Sequence, residues 1–234
     1  MTASAPRRAL VLANGDVGSR ADLEAAWPGW AEGIELVVAA DGGARHANGL
    51  GLAVDHWIGD GDSLPPAELE RLRGAGIPVE VVAHDKDESD TELALGIAIA
   101  AGATDIVVLG AFGGRRLDHA LANVSLLGRP ALLDRRTALL DVGARVRLVR
   151  APGRDGGPLT TSLAGRSGDL VSLLPFGADV EGVTTAGLRY PLADEPLLLG
   201  AARGLSNVRV AADASFTLRR GSLLVVETPV RLSA

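Results

Sequence analysis

The sequence predicts an α/β fold: an N-terminal, mostly parallel Rossmann-like sheet with helices on both faces, followed by a C-terminal antiparallel β-sandwich. Three observations predict it. Five short apolar runs in the first half each stop at a Gly/Asp-rich loop, with helical segments between them. After about residue 136 helical periodicity gives way to short β-like runs between Gly/Pro/Asp turns. Apolar residues make up 47% of the 234 and aromatics only 3%, so the core must be built of Ala, Val, Leu and Ile. The division is placed at 1–136 and 137–234.

Taken in order, residues 8–13 (RALVLA) read as a buried strand ended by Asn14-Gly15-Asp16. Residues 35–40 repeat the pattern, stop at Asp41-Gly42-Gly43 and lead into a small-residue helix reaching about Asn48. Residues 54–58 form a third run, closed by Gly59-Asp60-Gly61-Asp62; Pro65 and Pro66 then suit the first turn of a helix over 66–73. A fourth run, 79–83, ends at DKDESD. Ser89 and Glu92 have capping-box spacing ahead of an apolar helix. Residues 104–109 are a fifth strand, followed by GAFGG and a helix from about Asp118 to Leu127. In the second half the β-like runs are 145–150, 159–163, 169–174, 208–211, 215–219 and 223–227.

Composition excludes several classes. There is no cysteine, which rules out disulfides, thiolate metal sites and cysteine nucleophiles. A net charge of −6 offers no field for a phosphate backbone, so no nucleic-acid partner is expected. The apolar run near the N-terminus covers only residues 9–13, too short for a signal sequence. Residues 93–103 reach about half a membrane span. The expectation is a soluble, cytoplasmic protein with no membrane partner.

Chemistry is expected at the carboxyl ends of the parallel strands, where open α/β sheets bind ligands. The five strand-ending loops carry Asp16, Asp41, Asp60, Asp62, Asp85, Asp87, Asp90 and Asp118. Carboxylates crowded at one edge need a cation to offset their repulsion. Without thiolates or a histidine ligand set, the donors suit a hard ion, Mg²⁺ or Mn²⁺. Asp60-Gly61-Asp62 puts two carboxylates on one side of an extended segment. Opposite charge comes from GAFGGRRLD, where Gly113 and Gly114 expose N–H groups near a helix start and Arg115 or Arg116 can clamp phosphate. Lys86 is the chain's only lysine against 22 arginines. Metal-binding acids facing an anion loop suggest phosphoryl-type transfer from a Mg²⁺-nucleotide. His46, His56 and His84 read as structural or surface residues, and Trp27, Trp30 and Trp57 as core.

Six segments, in order, resemble the thiamine pyrophosphokinase family: DGGA (41–44), GDGDS (59–63), DKDESDTELAL (85–95), GGRRLDHALAN (113–123), GVTTAGLRYPL (182–192) and LSN (205–207). The resemblance implies transfer of pyrophosphate from ATP to the hydroxyl of thiamine, giving thiamine diphosphate and AMP. It implies a homodimer with the active site at the subunit interface. Carried over by position, Asp60, Asp62 and Asp90 are the implied Mg²⁺ ligands. Lys86, Gly113, Gly114, Arg115 or Arg116, and Asn123 fall on the nucleotide side. Asp41, Asp118 and His119 match motif residues of the same cleft, while Tyr190, Ser206 and Asn207 match the thiamine-holding region. Asp62, Asp90, Asp118 and Arg116 are the implied catalytic set, with Asp118 or a metal-site acid as base. The family pattern has one residue between Gly-Gly-Arg and Asp-His; here Arg116 and Leu117 both intervene. The residue types also allow a DxD-type nucleotidyl- or glycosyltransferase, or a binding module without turnover.

Overall fold

The computed structural model describes residues 7–114, 116–153 and 155–230. Arg115, one of the two candidate phosphate arginines, lies outside the described residues. The chain divides into two compact units, 1–142 and 143–234.

In the first unit the strands are β1 (Arg8–Leu12), β2 (Ile34–Ala40), β3 (His56–Gly59), β4 (Val79–Val81), β5 (Asp105–Leu109) and β6 (Arg136–Leu140). They lie in the order β6-β5-β1-β2-β3-β4, and every pairing is parallel. The helices are α1 (Arg20–Ala26), α2 (Arg45–Gly49), α3 (Pro66–Gly74), α4 (Asp90–Ala100) and α5 (Leu117–Leu126). The chain steps outward from β1 to β4, then returns through α4 to start β5 on the other side of β1. That reversal between β1 and β5 is a topological switch point.

α4 makes the return because one of its faces is small and apolar. Thr91, Ala94, Leu95 and Ala98 are buried, at the spacing of a single helix stripe, against β1, β2 and β3. Its start is fixed by Ser89, whose hydroxyl accepts the Glu92 N–H at 3.2 Å. Only this half of the expected capping box forms: the Glu92 carboxylate pairs with Arg129 at 2.7 Å instead.

β6 is a strand that sequence patterning did not assign to the sheet. It follows α5 and a 3-10 turn, Pro130–Leu132, and lies where the helical texture of the sequence ends. All three tryptophans are in the core, as expected, with Trp57 fully buried.

The second unit holds β7 (Arg145–Ala151), β8 (Leu159–Leu163), β9 (Leu170–Pro175), β10 (Val180–Ala186), β11 (Glu195–Leu197), β12 (Asn207–Val208), β13 (Ala214–Leu218) and β14 (Gly221–Thr228). They form two antiparallel groups, β12-β9-β14-β7 and β11-β10-β13-β8. Alternate residues such as Val149, Leu173, Val183, Phe216, Leu223 and Val225 meet in one core, which makes the unit a β-sandwich. β10 escaped the sequence patterning for a physical reason. Gly182 has φ +68 within it and the pairing register slips between Val180 and Val183, so the two-residue alternation is broken.

The inward row of β14 ends on a charge. Glu227 is 1% exposed and follows Leu223 and Val225 on the same face. Its carboxylate accepts from Arg145 at 2.6 Å, from Arg147 at 3.4 Å and from the Ala164 N–H at 2.8 Å.

Candidate active site

Three neighbouring strands, β2, β3 and β4, deliver the acidic residues. Asp41 directly follows β2 and opens a 3-10 turn, Asp41–Ala44, at φ +46. That left-handed conformation is tolerated by Asp and Asn better than by most residues and stores strain that neighbours must hold. Trp57 holds it: its indole N–H donates to the Asp41 carbonyl at 2.9 Å. Gly59 permits the approach, since a Cβ there would stand 2.8 Å from the Asp41 Cα. Gly59→Ala should therefore cost about 1–3 kcal/mol of stability and shift Asp41. Chemical melts check the first effect; if stability were unchanged, the packing of β3 on the Asp41 turn would be looser than described.

Asp60 follows β3, and Gly61, at φ +82, turns the chain so that the Asp62 N–H donates to Asp60 Oδ1 at 3.1 Å. Ser63 donates to Asp62 Oδ1 at 2.7 Å. Asp90 is the first residue of α4, next to the positive end of that helix. Asp41, Asp60 and Asp90 each offer a carboxylate oxygen within 4.8 Å of the others. Asp60, Asp62 and His84 form a second group meeting the same limit. The expected ligand trio Asp60, Asp62 and Asp90 is thus spread over two overlapping groups joined by Asp60, and Asp41 enters the one that contains Asp90.

These residues fit a divalent cation. Asp41 is 4% exposed and its Oδ1 is buried with no hydrogen-bond partner. A buried carboxylate oxygen left without a donor beside two further carboxylates is costly unless a cation completes it. Two side chains already lie against these carboxylates. Lys86 Nζ lies 3.1 Å from Asp90 Oδ1, and His84 Nδ1 lies 2.6 Å from Asp60 Oδ2. The titration shifts follow from these contacts. Burial pushes the Asp90 carboxyl up, and the charges of Asp41 and Asp60 add to that against the opposing pull of Lys86. The Asp62 backbone N–H, with smaller help from His84 and Lys86, holds Asp60 below the usual carboxylate range. The hydrogen bond to Asp60, then the charges of Asp60 and Asp62, push His84 up.

At the switch point the loops after β1 and β5 are tied together. The Gly15 N–H donates to the Gly110 carbonyl at 2.8 Å and the Asp16 N–H to the Phe112 carbonyl at 2.9 Å. The Gly114 N–H donates to Asp16 Oδ2 at 2.9 Å. One of the N–H groups expected to meet an anion is therefore already engaged by a carboxylate. Gly113 has φ +78 and presses so closely on Asp16 that a Cβ would lie 2.7 Å from the Asp16 Cβ. Asn123 is buried and donates to the Ala111 carbonyl at 2.9 Å, so its amide braces this loop. Arg116, at the start of α5, forks onto Asp118 with contacts of 2.9 and 2.6 Å. That guanidinium draws the Asp118 carboxyl down to about 2. His119 is exposed on the same helix. His46 Nε2–H donates to the Gly15 carbonyl at 2.9 Å, and burial, then Arg45, lowers its pKa.

The remaining expected residues lie together in the sandwich unit. Asn207 accepts the Tyr190 N–H at 2.9 Å and returns a bond to the Tyr190 carbonyl at 2.6 Å. The amide oxygen also accepts the Val208 N–H at 2.9 Å, so both polar ends of the side chain are engaged by backbone, and the Tyr190 ring is 55% exposed. Ser206 sits at φ +56, and its N–H donates to Ser172 Oγ at 3.0 Å.

Comparison with known proteins points one way for both halves. The family model described as "Thiamin pyrophosphokinase, catalytic domain" matches residues 30–139, and "Thiamin pyrophosphokinase, vitamin B1 binding domain" matches residues 159–223. The chain belongs to the thiamine pyrophosphokinase family. It is 26% identical over 200 residues to thiamine pyrophosphokinase of Bacillus subtilis (strain 168), covering 86% of this chain and 90% of that protein. Thiamine pyrophosphokinase 1 of Oryza sativa subsp. japonica is 28% identical over 156 residues, 64% of this chain and 57% of that one. The fold matches the crystal structure of the Bacillus subtilis protein with a TM-score of 0.79 at 24% identity, over 96% of this chain and all of that one. Thiamin pyrophosphokinase from Candida albicans matches with a TM-score of 0.75 at 15% identity, over 95% and 89% of the two chains.

Within this family fold, three features were beyond sequence reasoning. His84 is exposed, in keeping with a structural or surface residue, but its contact with Asp60 was not foreseen. Trp57 was read as core only, yet it fixes the Asp41 backbone. Asp16 was counted among the edge acids, and its use in shaping the glycine loop had no local signature. The signal available for His84 was its place two residues before Lys86, in the loop that also supplies Asp90.

Proposed function

We propose that the protein transfers the pyrophosphoryl group of ATP to the hydroxyl of thiamine, releasing thiamine diphosphate and AMP, with Mg²⁺ or Mn²⁺ at the acidic edge of the α/β unit. The observation that carries this reading is the pairing of a catalytic-domain match with a vitamin B1-binding match in one chain, in which the first contains the Asp41, Asp60 and Asp90 cluster. A glycosyl- or nucleotidyltransferase gives no account of the second match.

Asp60, Asp62 and Asp90 are the assigned ion ligands, with Asp41 beside them. A divalent ion held there neutralises phosphate charge and polarises phosphoryl oxygens. Lys86 and an arginine, Arg115 or Arg116, are assigned to the nucleotide phosphates. Lys86 and Arg116 are paired with carboxylates, Asp90 and Asp118, and nucleotide binding exchanges that partner for a phosphate oxygen. Before a nucleotide enters, Arg116 holds the Asp118 carboxyl near 2, so Asp118 is then a weak base and keeps the arginine in place. Gly113, Gly114 and Asn123 set the shape of the loop that faces the nucleotide, and His119 is assigned to the same cleft.

Tyr190 is assigned as the aromatic face for the cationic thiazolium or its pyrimidine, with Ser206 beside it and Asn207 holding the tyrosine backbone. Asn207→Ala should raise KM for thiamine about tenfold, the equivalent of about 1.4 kcal/mol, with kcat nearly unchanged. An equal fall in kcat with unaltered KM would place Asn207 in the chemical step instead. A homodimer belongs to the same reading, supported by Leu117 and Leu121, which are 74% and 60% exposed at helical spacing on α5. Light scattering of the purified protein tests it. A cytoplasmic location is also proposed; among the described residues no helix is long and apolar enough to cross a membrane.

The test of the reaction is thiamine dependence. With Mg²⁺ and ATP, AMP should form only when thiamine is present. AMP release at the same rate without thiamine would sink the assignment.

A further inference from the structure

His84 has no part in the reaction as assigned so far, yet it belongs to one of the two groups of donors that could hold a metal ion. Its Nδ1 lies 2.6 Å from Asp60 Oδ2, and Asp62 completes the group within 4.8 Å. Two ligands of one octahedral ion, each about 2.1 Å from it, stand about 3 Å apart. The imidazole and the Asp60 carboxylate are therefore already at near-ligand separation. The side chain is 83% exposed and reaches the carboxylates from the loop between β4 and α4, so a small rotation opens the pair without disturbing the core. Independent demand for a cation at Asp60 comes from Asp41, which has a buried and unpartnered Oδ1 and belongs to the other group containing Asp60.

We propose that His84 is a nitrogen donor to a divalent ion shared with Asp60 and Asp62, and that it determines which metals the site takes. An all-oxygen set suits Mg²⁺, which keeps several of its waters; an imidazole added to two carboxylates favours ions that accept nitrogen, such as Co²⁺. The site then binds Mg²⁺ through its carboxylates alone and binds Co²⁺ through carboxylates and His84. The contact between His84 and Asp60 has a second reading, in which the ring merely holds Asp60 in place. The two differ in consequence. A holding role affects every metal equally, whereas a donor role affects Co²⁺ selectively.

This inference rests on the proposed reading of the acidic edge as a metal site, and the experiment separates the two. Calorimetric titration of the full chain with Mg²⁺ and with Co²⁺ is compared for the parent protein, His84→Ala and His84→Gln, the last keeping a polar partner for Asp60. Ring proton resonances of the four histidines are followed as Co²⁺ is added. Expected are a Co²⁺ affinity reduced at least about tenfold in both variants, Mg²⁺ affinity changed by less than about threefold, and a Co²⁺-shifted resonance that is missing in both. Equal weakening of the two metals, or unaltered Co²⁺ binding, overturns the donor role while leaving the carboxylate site standing. If the parent protein binds neither ion, the metal site and this inference fall together.

Discussion

Asp41→Asn should lower turnover about a thousandfold, a loss of about 4 kcal/mol of transition-state stabilisation, while leaving the metal-free protein at least as stable as its parent. The two halves of this result have one cause. Asp41 holds a buried oxygen with no hydrogen-bond donor, alongside Asp60 and Asp90. Without an ion, that carboxylate is repelled by its neighbours; on the proposed reading, an ion bound beside it would turn that repulsion into attraction. Asparagine keeps the φ of +46 accessible and offers the two neighbouring carboxylates an amide donor. A group retained at the expense of stability is the mark of a functional site. The measurements are steady-state formation of AMP and a thermal melt in chelator. Activity within tenfold of the parent would remove Asp41 from the ion site. A much less stable variant would make it a structural residue.

Glu227→Ala should destabilise the sandwich unit by about 3–5 kcal/mol, because it strips the shared anion from two arginines that stay behind. Arg147 is the sensitive one: burial already pulls its guanidinium pKa down, with Glu227 opposing that pull. The Ala164 N–H also loses its acceptor. Conversely, changing the trio together to apolar residues of similar volume should recover most of the loss, since the pair is weak evidence for stability by itself. Urea unfolding of the two variants reads both effects. A loss below about 1 kcal/mol for Glu227→Ala would mean that water or a side-chain shift reaches the arginines.

Much of this architecture could be read from residue patterns, and the exceptions have specific causes. The strands β1, β2, β3 and β5 are apolar runs that stop at Gly/Asp loops, because buried parallel strands need no alternation and their carboxyl ends need turns; β4, at the exposed edge, was legible from its Val-rich run and the acidic turn after it. The β10 strand was hidden by Gly182, whose register slip destroys the only period a strand can show. β6 lies where the helical texture of the sequence ends, next to the boundary between the two units. At the site, the acids were visible because Asp and Gly cluster at strand ends. Which acids share an oxygen-to-oxygen distance was not visible, since it depends on the depth of Asp41 behind Gly59 and on the Trp57 bond to its carbonyl. Lys86 shows the same limit. Its rarity marked it as a functional residue, but only the fold reveals that it rests on Asp90. Asn207 shows another: a polar residue in a binding motif spends both ends of its amide on backbone, at Tyr190 and Val208.

The central claim is a single-step pyrophosphoryl transfer at the acidic edge. Its most direct measurement is the product ratio in one quenched reaction of thiamine with ATP and Mg²⁺, with all nucleotides and thiamine phosphates quantified together. The account predicts AMP and thiamine diphosphate in equal amounts, with no ADP and no thiamine monophosphate. ADP accompanied by thiamine monophosphate, or AMP accompanied by free pyrophosphate and unaltered thiamine, would contradict it.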